Sequence, residues 1–392
     1  MSLVQAVIGS SYGDEGKGNV TNALSNRDTL VVRFNGGAQA GHTVVHNGRR
    51  HVFHHFGSGT LKGAATFLSE YFIVNPILFV TESKQLEDLN PTVYIDPMSP
   101  VTTPYDMMLN AAVENSRGAK RHGSCGVGIN ETITRGEMGF GLNFSEIQWY
   151  THLFKWLKHI RDKYVPARML ELGLTRSDMP PNWDSEEIIE RWLKDVEFVF
   201  RRCIMRRWRV IAESQEHIVF EGAQGLRLDE RAPGFPHVTR SRTGLTNVVS
   251  LMKLPLFDKD TLETYYVTRP YITRHGIGPL SHEIFGKTPY EKVVDLTNKP
   301  HPFQGMLRFA WLNRDEFLNP IVDDLEKFAS ARPQGRVRPI LAITCMDQVE
   351  NKSIKMYVYS TECEYSDPDL WSAHLAANVF YRVRQFREEG KS

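Results

Sequence analysis

Gly9-Ser10-Ser11-Tyr12-Gly13-Asp14-Glu15-Gly16-Lys17-Gly18-Asn19 follows the apolar run Val4-Gln5-Ala6-Val7-Ile8. A strand that runs into a glycine-rich turn carrying an acid and a lysine has the makings of a phosphate site. Glycines permit positive φ and bring backbone N–H groups against phosphate oxygens. Lys17 adds a mobile positive charge, and a helix beginning near Asn19 would aim its N-terminus at the anion. The loop is not a Walker A motif: Ser11 stands where that motif needs its first glycine, and Gly18 where it needs Ser or Thr. Asp14 is the anomaly. A carboxylate beside phosphates is repelled unless it binds Mg²⁺ or takes a proton from the substrate, so the loop is expected to do chemistry.

Such a loop needs a frame. Short apolar or β-branched runs recur at Leu30-Val31-Val32, His51-Val52-Phe53, Ile218-Val219-Phe220, 265–268, 339–344 and 354–359. Several lack strict alternation, as strands of a parallel sheet covered on both faces do. Helical periodicity lies between them, at 105–114 and 321–329. The pattern predicts an α/β fold: a large, mostly parallel central sheet covered by helices, with the phosphate loop at a strand's C-terminal end. Residues 1–392 read as one domain, with 145–212 as a helical subdomain inserted within it. There Trp149, Leu153, Trp156, Leu157 and Ile160 recur at helical spacing, and Asp184 is expected to N-cap a second long helix through Arg209. The arginines at 201, 202, 206, 207 and 209 read as a solvated face rather than a nucleic-acid surface.

Composition narrows the classes. With 47 basic and 46 acidic residues the net charge is +1, which offers nothing to nucleic acid or a membrane surface. The four cysteines lack Cys-x-x-Cys spacing, which argues against a zinc ribbon or disulfide framework and suits a reducing cytoplasm. No apolar run approaches the ~18 residues of a membrane span.

Gly13 to Gly18 after a first strand resembles the signature of adenylosuccinate synthetases, and four later segments agree in order. These are Gly36 to Thr43, Phe220 to Gly225 with Pro236-His237-Val238-Thr239, Thr273 to Pro279 followed by Glu283, and Ile343 to Asp347. The resemblance implies a ligase that joins L-aspartate to a purine nucleoside monophosphate at the expense of GTP and with Mg²⁺. It implies Asp14 as the base that takes the ring-nitrogen proton, and Asp14 with the Gly41 carbonyl as metal ligands. His42 becomes the catalytic acid, and His54, with His55 one register away, aligns with a further family histidine. Gly13, Glu15, Gly16, Lys17, Gly18, Gly41, His42, Thr43, Arg308 and Asp347 would hold the triphosphate. Asp14, Lys17, Gln39, Ser124 or Cys125, Arg135, Gln224 and Thr239 would hold the monophosphate, with Arg135 supplied across a homodimer interface.

Departures from the family cluster at two places. Its arginine-rich aspartate loop is replaced by 297–311, where Arg308 alone keeps its place, leaving Lys299 and His301 as the other candidates for aspartate. Ser11-Tyr12 replaces the usual Gln-Trp, and Gln39 replaces Asn. These changes resemble the divergent phage branch that acts on dGMP, in the host cytoplasm; ordinary synthesis from IMP is the alternative, and a nucleotide-binding regulator without turnover is remote. Asp347 favours GTP, while Cys345, where many members have lysine, leaves ATP or dATP open.

Overall fold

The computed structural model describes residues 2–118, 123–293, 305–349 and 353–386. Among the described residues, nine parallel strands form the central sheet. In spatial order they are Arg382–Gln385, Arg336–Ile343, Thr261–Thr268, β1 (Leu3–Gly9), His217–Gly225, β2 (Thr29–Arg33), Ala65–Leu68, Val93–Ile95 and Ile204–Met205. β1 thus lies between two strands drawn from far along the chain. All nine strands point the same way, so the segments after Gly9, Arg33, Gly225, Thr268 and Ile343 emerge on one edge, where open α/β sheets bind ligands.

Side-chain alternation assigns β1 to two cores. Val4, Ala6 and Ile8 pack into one apolar cluster, and Val7 joins Val20 of α1 (Lys17–Leu24) in another. The helix starts two residues earlier than Asn19. Gly16 is its N-cap, in a left-handed conformation at φ 89°, and no side chain caps it. Two expected strands lie outside the sheet: Arg49–Phe53 pairs antiparallel with His42–His46, and Ile354–Val358 with Thr361–Tyr365.

Within 145–212, helices Tyr150–His159, Val165–Glu171 and Glu186–Arg202 bury Leu153, Leu157, Met169, Trp192 and Val196 in one cluster with Phe53, Phe79 and Tyr105. The long helix ends at Arg202, not Arg209, because Ile204–Met205 turns back to extend the sheet beside Tyr94 and Ile95. Asp184 is not its cap; it pairs with Arg176 at 2.7 Å, and Ser185 holds the N-cap position. Arg201 and Arg209 make exposed pairs with Glu197 and Glu213. Among the described residues, no helix is long and apolar enough to cross a membrane.

Candidate active site

The 10–16 loop is braced from within. Glu15 is buried, and its carboxylate accepts from the amides of Ser11 (3.0 Å) and Gly13 (2.8 Å) and from Lys17 Nζ (2.7 Å). Glu15 therefore shapes the loop, and Lys17 is a held cation rather than a mobile one. A Cβ on Gly9 would stand 2.8 Å from that ammonium and 2.4 Å from the Gln224 carbonyl, so the lysine lies along the strand end. Gly18 lets α1 approach the next motif, since a Cβ there would meet His42 Cβ at 3.0 Å. Thr273 and Thr344 pin the loop from two neighbouring segments through the carbonyls of Gly13 (3.2 Å) and Glu15 (2.6 Å).

Asp14 sits on this loop at φ 59°. Gln224 (φ 57°) and Cys345 (φ 58°), just past or at the ends of other central strands, share that left-handed conformation. Non-glycine residues held there carry strain of ~1–3 kcal/mol and concentrate at functional sites. Asp14 is not a helix cap. Its carboxylate is 25% exposed and lies 3.4 Å from His275 Nε2. His275 lies within the Thr273–Pro279 motif, and no local signal in the sequence marks it as a partner of Asp14.

His42 begins the hairpin and is buried. Its Nδ1 is 2.6 Å from Glu221, whose carboxylate also accepts from the Ser58 amide (3.0 Å) and hydroxyl. Burial lowers the histidine pKa against the pull of Glu221. Burial opposes ionisation of Glu221, yet His42 and Arg33 outweigh it and bring that carboxyl down to about 2. The imidazole thus donates Nδ1–H to a carboxylate and keeps Nε2 for a ligand. Glu221 and Ser58 were missed as functional residues; the signal was an acid inside an apolar central strand. Of the adjacent histidines, His54 donates to the Ala40 carbonyl at 2.8 Å, tying it to the 36–43 motif. His55 is structural: Glu82 faces its Nδ1 at 3.4 Å, and its Nε2 accepts the Asn75 amide at 3.1 Å.

Gln39 and Gln224 come together, Nε2 to Oε1 at 3.4 Å. Gly36 N–H donates to Ser241 at 3.0 Å, which brings the Thr239 segment over the same turn. Ser11 Oγ and Gln39 Oε1 are buried without a hydrogen-bond partner among the described residues. Tyr12 turns away. Its ring packs between the Arg274 and Arg227 guanidinium groups, 4.1 and 4.8 Å from its centroid. Ser124 accepts the Gly126 amide and donates to Asn110, organising the 123–128 loop; burial raises the neighbouring Cys125 thiol to about 11, leaving it a neutral wall.

Two expected ligand contacts are otherwise engaged. Arg135 is fully buried in its own subunit. It contacts Asp106 at 2.9 Å and donates to the carbonyls of Val101 (2.7 Å) and Phe140 (2.5 Å), so it is no donor across an interface. Arg135→Leu would strand Asp106 as a buried charge. We expect a loss of ~3–5 kcal/mol in urea unfolding, and no recovery of activity on mixing with an Asp14 variant. Arg308 bonds both Glu283 oxygens (2.7 and 2.5 Å) and the carbonyls of Gly276 and Gly278, so it clamps that turn. Lys299 and His301 lie outside the described residues. Asp347 stands in the short turn Met346–Val349 beyond the sheet, where Gln348 accepts from Tyr271 at 2.5 Å.

No group of three His, Cys, Asp or Glu side chains among the described residues could cage a metal ion. One accessible carboxylate beside an amide-lined loop does fit Mg²⁺, which takes one or two carboxylates and completes its shell with phosphates and water.

The adenylosuccinate synthetase family profile matches residues 6–303. Adenylosuccinate synthetases of Parabacteroides distasonis and Porphyromonas gingivalis are each 28% identical, over 72% and 74% of this chain. The chain spans about two thirds of these relatives, 66% and 67% of their length. Among solved structures, fully ligated adenylosuccinate synthetase from Plasmodium falciparum superposes with a TM-score of 0.72 at 20% identity, covering 90% of this chain and 79% of that one. Cyanophage S-2L succinoaminodeoxyadenylate synthetase, bound to dGMP and dATP, gives 0.53 at 14% identity, covering 88% and 85%. Both share the fold.

Proposed function

The chain belongs to the adenylosuccinate synthetase family, and from that premise we propose that it is a carbon–nitrogen ligase acting on dGMP. In this reading Asp14 takes the ring N1 proton and the 6-oxygen attacks the γ-phosphorus of a nucleoside triphosphate, GTP in first place, breaking its bond to the β–γ bridging oxygen and releasing the nucleoside diphosphate. The amino group of L-aspartate then adds at C6 and phosphate leaves with the 6-oxygen. His42, oriented by Glu221, faces the charge that develops on that oxygen and on the departing phosphate. Asp14 and the Gly41 carbonyl would hold Mg²⁺, which supplies neutralisation of the phosphate charge when bound.

The observation that carries dGMP is the pair of buried, unpartnered oxygens, Ser11 Oγ and Gln39 Oε1. Oxygens left without donors inside a site suit a ligand that brings an N–H, and the 2-amino group of guanine is one that hypoxanthine lacks. The test is product formation from aspartate, Mg²⁺ and either dGMP or IMP, each with GTP, ATP or dATP. Faster turnover of IMP would overturn the purine assignment. IMP is the second reading, supported by Asp14, the ordinary family residue. A homodimer remains the family-based expectation, to be read by sedimentation. A regulator without turnover would need neither Asp14 nor the His42–Glu221 pair.

His42→Asn is expected to lower kcat more than it raises the KM for the monophosphate. The amide can donate to Glu221 but cannot offer a protonatable Nε2. A change confined to KM would make His42 a binding residue.

A further inference from the structure

Arg33 ends β2 and is fully buried, one of the largest side chains in the protein with no exposure. In the sheet its register partner is Glu221. Register partners on parallel strands project from the same face, so a buried cation stands beside the carboxylate that orients His42. One terminal nitrogen of Arg33 donates to the carbonyls of His54 (3.1 Å) and Phe56 (3.3 Å). Its Nε and Nη2 have no hydrogen-bond partner among the described residues. Glu221 binds the same irregular segment two residues on, through the Ser58 amide and hydroxyl. A second buried acid, Glu82, accepts the amides of His54 (2.8 Å) and His55 (2.7 Å). Arg33 therefore lies among two anions, both fixed to residues 54–58; burial lowers its pKa, and Glu221 and Glu82 pull against that shift.

We propose that Arg33 is a positioning residue for His42: it fixes Glu221, its neighbour across the sheet, and so holds the imidazole in the orientation that chemistry requires. A buried carboxylate without a nearby cation would take up a proton or turn from the imidazole. With Arg33 in place, Glu221 accepts from Nδ1 and leaves Nε2 directed to substrate. The orphaned guanidinium N–H groups fit this arrangement, because charge rather than a direct hydrogen bond links the two side chains. This inference rests on the ligase reading for its kinetic arm only.

The test is a mutant cycle with Arg33→Met, Arg33→Lys and His42→Asn. Arg33→Met should lower kcat by ~10–100-fold, the range for losing an outer partner that orients a functional histidine, with little change in the KM for the monophosphate. Arg33→Lys keeps the charge and should recover most of that loss. In the His42→Asn background, Arg33→Met should change kcat by less than about threefold, because interactions through a shared partner do not add. An equal fall in both backgrounds would overturn the proposal and leave Arg33 a tie for residues 54–58. Should Arg33→Met fail to fold, Arg33→Lys alone carries the test: with the charge kept, its kcat should stay within about threefold of the parent, and a folded Arg33→Lys that falls by ~10-fold or more would overturn the proposal.

A second readout needs no turnover. The His42 Nδ1 proton, shared with Glu221 over 2.6 Å, should give a far-downfield NMR resonance that His42→Asn lacks. It should survive Arg33→Lys and be lost or shifted upfield in Arg33→Met. An unchanged resonance in Arg33→Met would sink the proposal. A wild-type protein that shows this resonance but no ligase activity would instead defeat the functional reading.

Discussion

Asp14→Asn is expected to abolish product formation while leaving the fold and nucleotide binding almost intact. The backbone at residue 14 is left-handed, at φ 59°, and asparagine adopts that conformation as readily as aspartate. The carboxylate caps no helix, since Gly16 takes that position. Its described neighbour, His275 Nε2 at 3.4 Å, can approach an amide oxygen as well. The loop is held instead by Glu15, Thr273 and Thr344, all untouched by the substitution. What disappears is chemical: the amide cannot accept the N1 proton and is a poor ligand for Mg²⁺. Losing a general base alone lowers rates by ~10²–10⁴-fold, and the weakened metal site should deepen the defect. The measurement is single-turnover product formation, with triphosphate affinity and urea unfolding as controls. Activity within tenfold of the parent would remove Asp14 from the mechanism.

Features written locally in the chain were legible before the structure. The Gly-Asp-Glu-Gly-Lys-Gly turn and its preceding strand carry their own conformational and charge signals, and unbroken apolar runs signal a doubly covered parallel sheet. What failed to show was pairing at long range. Arg135 beside a glycine reads as a phosphate ligand, and nothing local says that Asp106, 29 residues earlier, has already claimed it. Arg308 likewise looks available until Glu283 and the Gly276 and Gly278 carbonyls surround it. Glu221 was visible as a letter, but its role depends on strand register and on Ser58 and His42 arriving from another part of the chain. The adjacent histidines 54 and 55 are equivalent in composition, and only the direction of their side chains separates a residue at the site from one paired with Glu82.

The purine carries the other large effect: kcat/KM for dGMP should exceed that for IMP at saturating aspartate and triphosphate. Phosphorylation and displacement act on the 6-oxo edge, which both purines share, so discrimination must arise at position 2 and the sugar. Tyr12, one of the three altered residues, has its ring already engaged between Arg227 and Arg274. Selection therefore falls to Ser11, on the loop that carries Asp14, and to Gln39, three residues before His42. Both hold a buried oxygen that has no donor within the described chain. Bound IMP would leave such an acceptor dry and unpaired, whereas the amine of dGMP would satisfy it; sites built for a polar group reject the analogue lacking it by up to ~10⁴-fold. Gln39 Nε2 already leans on Gln224 at 3.4 Å, which leaves Oε1 as the free end of the amide. Ser11→Ala and Gln39→Leu should then narrow the dGMP-to-IMP ratio by slowing dGMP, with IMP turnover little changed. A wild-type ratio below one would return the chain to ordinary adenylosuccinate synthesis. Equal losses on both purines would place Ser11 and Gln39 at the phosphate or ribose instead.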